Sequence, residues 1–281
     1  MTHNARPTLV IGGTGKTGRR VAHLLEERGI PTRIGSRSAD PPFDWDDSDT
    51  WAAALDGARA AYIAYYPDLA IPGAVEAVTE LAASALEQDV RRLVLLSGRG
   101  EEEAQRAERA LRESGADWTI VRCSWFSQNF SEGAFAEMVA GGEVVLPATS
   151  VPEPFLDVED IAEMAAKTLA EDGHVGQVYE LTGPRLLTFE EAVDEIAAAT
   201  GREIRYVPVS LEDFAAGARE QGVPDDLVDF LTYLFGEVLD GRNAALTDGV
   251  RRALGREPRD FSDFAREAAE IGVWSASARV G

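Results

Sequence analysis

The stretch Thr8-Leu9-Val10-Ile11-Gly12-Gly13-Thr14-Gly15-Lys16-Thr17-Gly18-Arg19-Arg20-Val21 decides how this chain is read. Thr8–Ile11 is a short apolar run and predicts a buried first strand. Glycines at 12, 15 and 18 follow, and then a helical pattern from about Lys16 to Arg28. Val21, Leu24 and Leu25 share one face of that helix, and Gly29 ends it. A glycine-rich turn between a strand and a helix is the setting in which a dinucleotide pyrophosphate is held. One glycine permits the tight turn, one lets backbone N–H groups approach the phosphates, and one lets the helix pack closely on the strand. The helix N-terminus adds partial positive charge. Gly12, Thr14, Gly15, Lys16, Thr17 and Gly18 are therefore the candidate pyrophosphate-binding residues. The bland alternative is a flexible turn that binds nothing. A kinase-type P-loop fails on spacing, although Gly15-Lys16-Thr17 matches its end.

Working outward, Pro31–Gly35 reads as the second strand and ends in Ser36-Arg37-Ser38. A site for NAD places a carboxylate there, to bind the adenosine 2′-hydroxyl; here none appears before Asp40. Arg37 can pair with a 2′-phosphate and stack on adenine, and Ser36 and Ser38 can donate hydrogen bonds to it. The expected cofactor is NADP(H).

Strand and helix patterns keep alternating. Ala60–Tyr65, Arg92–Ser97 and Trp118–Arg122 read as strands, Pro72–Gln88 and Glu101–Ser114 as helices, and Phe43–Trp45 as a further short strand. Such alternation predicts an α/β doubly wound Rossmann fold with a mostly parallel sheet. Beyond Cys123, Phe126–Val139 reads as helical, Glu143–Leu146 as a strand, Asp160–Glu171 as a helix and Val178–Thr182 as the last sheet strand. From Pro184 the character changes: Thr188 and Glu191 form a capping-box pattern, and Leu211–Gln221, Asp225–Leu239 and Phe261–Ile271 look helical. The expected division is a nucleotide-binding domain over 1–183, with segments after about 125 contributing to the substrate pocket, and a smaller, mainly helical C-terminal substrate lobe over 184–281. Ser275–Gly281 reads as a frayed tail.

The formal net charge of −22 repels phosphate backbones and anionic lipid surfaces, so neither nucleic acid nor membrane is an expected partner. No apolar run reaches the length of a membrane span, and Met1–Pro7 lacks a secretory pattern. Cys123 is the single cysteine, which excludes an intrachain disulfide and suits a reducing cytoplasm; it reads as a buried small hydrophobe. His3, His23 and His174 are scattered, so no metal-ligand spacing emerges. A cytoplasmic monomer or homodimer acting on a small, flat or hydrophobic molecule is expected.

No tyrosine is followed four residues later by lysine, so the Tyr-x-x-x-Lys proton-donating pair of many reductases with this sheet is absent. Ser97 ends the Leu93–Leu96 strand and could contact nicotinamide or substrate, or cap the turn before Gly98. Tyr65 and Tyr66 end the preceding strand and could shelter the cofactor or pack in the core. Ser97 and Tyr65 are the catalytic candidates. Tyr66, Trp125, Phe126, Asn129 and Phe130 are the candidate substrate-pocket residues, with burial in the core as the alternative for Phe126 and Phe130.

Gly12–Gly18 with Arg19-Arg20-Val21-Ala22, then Ser36-Arg37-Ser38, Phe43-Asp44-Trp45 and Thr50-Trp51, resemble the NmrA-like atypical short-chain dehydrogenases. Trp118–Arg122, Trp125-Phe126-x-x-Asn129-Phe130, Asp160-Ile161-Ala162, Leu186-Leu187-Thr188 and Arg259-Asp260-Phe261 extend the resemblance, in particular to the ergot-alkaloid festuclavine synthase/agroclavine dehydrogenase branch. It implies an NADP-binding Rossmann domain with a small C-terminal substrate lobe. It also implies reduction of a C=N bond in that branch and of quinones or other conjugated acceptors in sister branches. Relatives also include non-catalytic proteins that bind the dinucleotide as a redox signal. One departure is plain: Glu101–Ser114 holds no lysine where many enzymes of the wider group carry one. Hydride addition to an iminium ion gives a neutral amine and needs no acid at that step, so positioning would be the remaining work.

Overall fold

The computed structural model describes residues 6–147 and 149–275. The first elements are β1 (Thr8–Ile11), α1 (Gly18–Glu27), β2 (Thr32–Gly35), α2 (Trp51–Leu55), β3 (Ala60–Ile63) and α3 (Ala74–Glu87). β4 (Arg92–Gly98), α4 (Glu102–Glu113), β5 (Asp117–Cys123), α5 (Ala134–Gly141), β6 (Glu143–Pro147) and α6 (Val158–Ala170) follow. The rest comprises β7 (Gln177–Leu181), α7 (Phe189–Thr200), β8 (Arg205–Val209), α8 (Leu211–Glu220), α9 (Asp225–Tyr233), a π turn over Leu234–Val238, α10 (Gly249–Leu254) and α11 (Phe261–Glu270). No helix among the described residues is long and apolar enough to cross a membrane.

Two compact units divide the chain. The first contains residues 1–123, 158–181 and 248–256. It carries a six-stranded sheet in the order β2-β1-β3-β4-β5-β7, every pairing parallel. Every residue of β1 and β3 is buried, as expected of strands covered on both faces. From β2 the chain returns past β1 to begin β3. The strand order therefore reverses between β1 and β3, and the crevice at their carboxyl ends is where such sheets take ligands. α1 covers this edge through Gly18, Val21, Ala22 and Leu25, one face of a helix.

The second unit contains 124–157, 182–247 and 257–281. Its core gathers Phe130, Phe135, Phe155, Phe189, Phe235 and Phe261 with aliphatic side chains of α7 and α11. Thr188 caps α7 as the sequence predicts: its hydroxyl accepts from the Glu191 amide at 3.1 Å, and the Glu191 carboxylate accepts from the Thr188 amide at 2.8 Å.

The division therefore departs from the expected boundary at 183/184. Residues 124–157 belong with the aromatic core of the second unit, and the chain re-enters the first because β7 pairs with β5. Three element expectations are also corrected. Phe43–Trp45 is no strand; the Phe43, Trp45 and Trp51 rings cluster at 5.0–5.9 Å between centroids, and the Trp45 indole donates to the Ala64 carbonyl at 3.2 Å. The helix expected over Phe126–Val139 breaks into a 3-10 turn at Ser127–Phe130 and α5, because Gly133 takes φ 96°, ψ −156°, a conformation essentially restricted to glycine. Arg205–Val209, within the stretch expected to be mostly helical, is β8 and pairs in parallel with β6.

Candidate active site

The glycine turn is built for close approach. The Gly12 amide donates to Gly35 O at 3.1 Å, tying the end of β1 to the end of β2, and the Gly15 amide donates to Gly12 O at 2.9 Å, closing the turn. Gly12 takes φ 72°, and a Cβ there would stand 3.1 Å from Ala64 Cβ, just after β3. A Cβ on Gly18 would stand 2.7 Å from Gly12 C and 2.8 Å from Gly13 Cα, and closer still to Gly12 O. Helix α1 can therefore start against the turn only if residue 18 has no side chain. The N–H groups of Thr14, Thr17 and Gly18 donate to no protein acceptor among the described residues, and Thr14 and Gly15 are exposed. These donors at a helix N-terminus are the groups a diphosphate requires. Arg20 fixes the helix from behind: its guanidinium donates to Lys16 O at 2.8 Å and to Glu159 of α6 at 2.6 Å. Lys16 is half-buried, and Thr17 is buried.

Ser36 is a hub of the next loop, its carbonyl accepting from the Ala39 and Phe43 amides at 3.1 and 2.9 Å. Ser36 Oγ and Ser38 Oγ lie 3.3 Å apart. Arg37 is exposed and makes no ion pair or side-chain hydrogen bond among the described residues. An unengaged guanidinium beside two hydroxyls, at the end of β2 and without a facing carboxylate, suits the extra phosphate of NADP(H). The turn and this loop thus fit a nicotinamide dinucleotide.

The other sequence candidates fall differently. Tyr65 is half-buried and packs on Trp45 at 4.7 Å between centroids. Burial first, then the Asp46 and Glu76 charges, push its phenol above the usual tyrosine range, so it holds its proton at neutral pH. Tyr66 is 76% exposed. Ser97 is only 4% exposed, and its hydroxyl donates to Glu108 of α4 at 2.7 Å. It therefore belongs to an ionic cluster that sequence reading missed: Arg122 pairs with Glu108 at 2.5 Å and with Glu180 at 3.3 Å, while Arg99 pairs with Glu180 at 2.8 Å.

Trp125, Phe126, Asn129 and Phe130 lie in the second unit, apart from the glycine turn in the division of the chain. Trp125 packs on Phe189 and Phe235, each at 5.2 Å. Phe126 opens the 3-10 turn and bridges to Leu156, and the Asn129 amide donates to Phe126 O at 3.1 Å. Phe130 is corrected from the pocket assignment. It is 0% exposed, ringed by Phe135, Phe155, Phe189 and Phe261, and its carbonyl accepts from the Trp274 indole at 2.7 Å. A ring enclosed by other rings is core, not wall.

Cys123 is buried, as read, and burial pushes its thiol up. Among the described residues no group of three or more His, Cys, Asp and Glu side chains could hold a metal ion.

A further pair stands at the carboxyl edge of the sheet. Glu101 lies between β4 and α4, and its carboxyl sits directly over Gly98, where a Cβ would overlap it. Its Oε2 is buried and has no hydrogen-bond partner. Burial, then the charges of Asp68 and Glu108, push Glu101 well above the usual carboxylate range. Asp68, in the loop after β3, is pushed up to about 6 by burial, against the pull of the Ala70 and Leu69 amides. The clue in the sequence is slight: Glu101 heads a helix whose other acidic residues look like a solvated face.

Comparison with known proteins agrees with this geometry. The family model described as NAD(P)H-binding matches residues 12–172, more than half of the chain. An uncharacterized oxidoreductase of Bacillus subtilis, YesF, is 30% identical over 281 residues, covering 96% of this chain and 97% of its own. An agroclavine dehydrogenase of Claviceps fusiformis is 30% identical over 274 residues, covering 91% and 95%, which bears out the resemblance drawn from the sequence. Among solved structures, an Escherichia coli NADPH-dependent quinone oxidoreductase complexed with NADPH superposes with TM-score 0.77 at 20% identity, over 92% of this chain and 99% of that one. The chain belongs to the NAD(P)H-binding family and is an NAD(P)H-dependent oxidoreductase of the atypical short-chain dehydrogenase type.

Proposed function

We propose that this protein uses NADPH in preference to NADH and reduces a small, flat imine, iminium or conjugated carbonyl acceptor, an enone or a quinone. The observation that carries the cofactor preference is Arg37, exposed and unengaged beside Ser36 and Ser38. When bound, the dinucleotide supplies a hydride. The chain holds the diphosphate with the Gly12–Gly18 amides and grips the 2′-phosphate with Arg37. Tyr65 shields the edge after β3, and Ser97, held by Glu108, keeps the end of β4 in place. Tyr66, exposed just after β3, contributes to acceptor binding. The reaction is proposed to take place in the cytoplasm.

Calorimetric titration of Arg37→Ala tests the cofactor assignment. A charge-assisted hydrogen bond to phosphate contributes about 1.5–3 kcal/mol, so NADPH affinity should fall roughly 10- to 100-fold, with a much smaller change for NADH. Equal NADPH affinity in the two proteins rejects the assignment. For the acceptor, NADPH oxidation is followed with iminium salts, enones and quinones. Tight NADPH binding with silence across all of them rejects the reductase reading in favour of a cofactor-sensing protein.

A further inference from the structure

The sequence offers no Tyr-x-x-x-Lys pair, and the phenol of Tyr65 holds its proton tightly. An acceptor such as a quinone nevertheless leaves an anion after hydride transfer and needs a proton. Four carboxyls meet two guanidiniums near the carboxyl ends of β3, β4 and β5. The carboxyls are Asp68, Glu101, Glu108 and Glu180; the guanidiniums are Arg99 and Arg122. Both guanidiniums are taken by Glu108 and Glu180. No cation is left over within this set for Asp68 and Glu101. Like charges in a buried pair cannot both ionise without large cost, so the pair retains a proton.

The position of that proton is the second observation. Glu101 Oε2 is enclosed, yet it finds no hydrogen-bond partner. Asp68 is better served: its Oδ1 accepts from the Ala70 amide at 2.9 Å. Ionising a carboxyl whose enclosed oxygen has no donor is the costlier of the two, so the proton rests on Glu101. A buried O–H with no acceptor among the described residues points to an acceptor brought by a ligand. Its carboxyl lies over Gly98, at the carboxyl edge of the sheet that also carries the glycine turn.

We propose that Glu101 is the proton donor for acceptors that become anionic on reduction, and that Asp68 is a positioning residue that keeps it protonated. This rests on the reductase reading above. The hydride forms the new bond on the acceptor, the Glu101 O–H bond breaks, and its proton goes to the acceptor oxygen. Glu101 is left as a carboxylate and regains a proton from water, with Asp68 disfavouring the ionised state. For an iminium acceptor the hydride alone completes the reduction, and Glu101 has no proton to give. The groups facing Glu101 are Asp68 from the loop after β3, Glu108 from α4 and Cys123 at the end of β5, while Arg99 is paired with Glu180.

Infrared titration of the free wild-type protein reads the proton directly. A protonated carboxyl band should persist at pH 7 and vanish in Glu101→Gln. In Asp68→Asn its titration midpoint should move to lower pH, because the neighbouring negative charge is gone. No such band at pH 7, or an unmoved midpoint, overturns the proposal. Turnover is then compared with para-benzoquinone and with an N-methyl-dihydroisoquinolinium salt. The loss in Glu101→Gln should be greater with the quinone than with the iminium by about 10²- to 10⁴-fold, the usual worth of a positioned acid. Glu101→Asp should restore part of it. Equal losses on both acceptors, in a wild type that reduces both, refute the acid role and leave the reductase reading standing. A wild type that reduces neither refutes both.

Discussion

Replacing Gly18 by Ala sets two effects of opposite sign against each other. Alanine is the better helix former by about 1 kcal/mol in a helix interior. At Gly18, however, the new Cβ would stand 2.7 Å from Gly12 C and 2.8 Å from Gly13 Cα, where ordinary contact begins at 3.4 Å. The neighbours are backbone atoms of the turn itself, so no side chain can swing away. Because Gly12 O is the nearest atom, either α1 or the turn must move by roughly 1 Å, and overpacking of this kind costs about 1–3 kcal/mol. The first turn gains little from propensity, so a net loss of about 1–2 kcal/mol is expected. Cofactor affinity should fall by at least 10-fold if the displaced amides are the diphosphate donors proposed above. Gly217, inside α8, is the internal control: a Cβ there meets nothing within 4 Å, so Gly217→Ala should stabilise by about 0.5–1 kcal/mol. Urea unfolding midpoints compared at a common slope, together with calorimetry for NADPH, measure both quantities. A Gly18→Ala protein as stable as wild type, with unchanged NADPH affinity, would refute the close-packing account of the turn.

Phe130→Ala removes a fully buried ring from the core of the second unit and should cost about 3–5 kcal/mol by thermal or urea unfolding; a cost under 1 kcal/mol would return Phe130 to the wall of a pocket. Asp260 caps α11 and pairs with Arg185 through two hydrogen bonds of 2.8 Å, which hold its carboxyl well below the usual range. A depressed carboxyl stabilises the fold above its unfolded pKa near 4 and ceases to do so as pH falls through the folded value. Asp260→Asn should therefore cost about 1–2 kcal/mol at pH 7, after discounting for the partly exposed guanidinium, and the gap to wild type should close as pH drops below about 4. A gap that stays constant from pH 7 to pH 3 contradicts it.

Local chemistry was legible in the sequence. Thr8–Ile11 and the glycines at 12, 15 and 18 specify strand, turn and helix through backbone sterics acting within a dozen residues. Thr188 and Glu191 specify a helix start through bonds three residues apart. The loop after β2 carries the proposed NADPH preference because Arg37 stands where a carboxylate would otherwise be needed. Other features answer to partners distant in the chain. Phe130 reads as a pocket residue, with core as the alternative, until Phe155, Phe189 and Phe261 close around it. Arg205–Val209 becomes a strand because Glu143–Pro147 lies beside it, a pairing that no periodicity in either segment announces. Ser97 reads as a candidate ligand contact or a turn cap until Glu108 takes its hydroxyl, and Glu101 reads only as the start of a helix until its carboxyl folds over Gly98. Periodicity and turn chemistry depend on neighbours along the chain, so the sequence alone determined the parallel sheet and the cofactor turn. The burial and pairing of a side chain depend on what folding carries to it from elsewhere, so only the tertiary structure decided which groups are core, which are paired, and which carboxyl oxygen is enclosed without a partner.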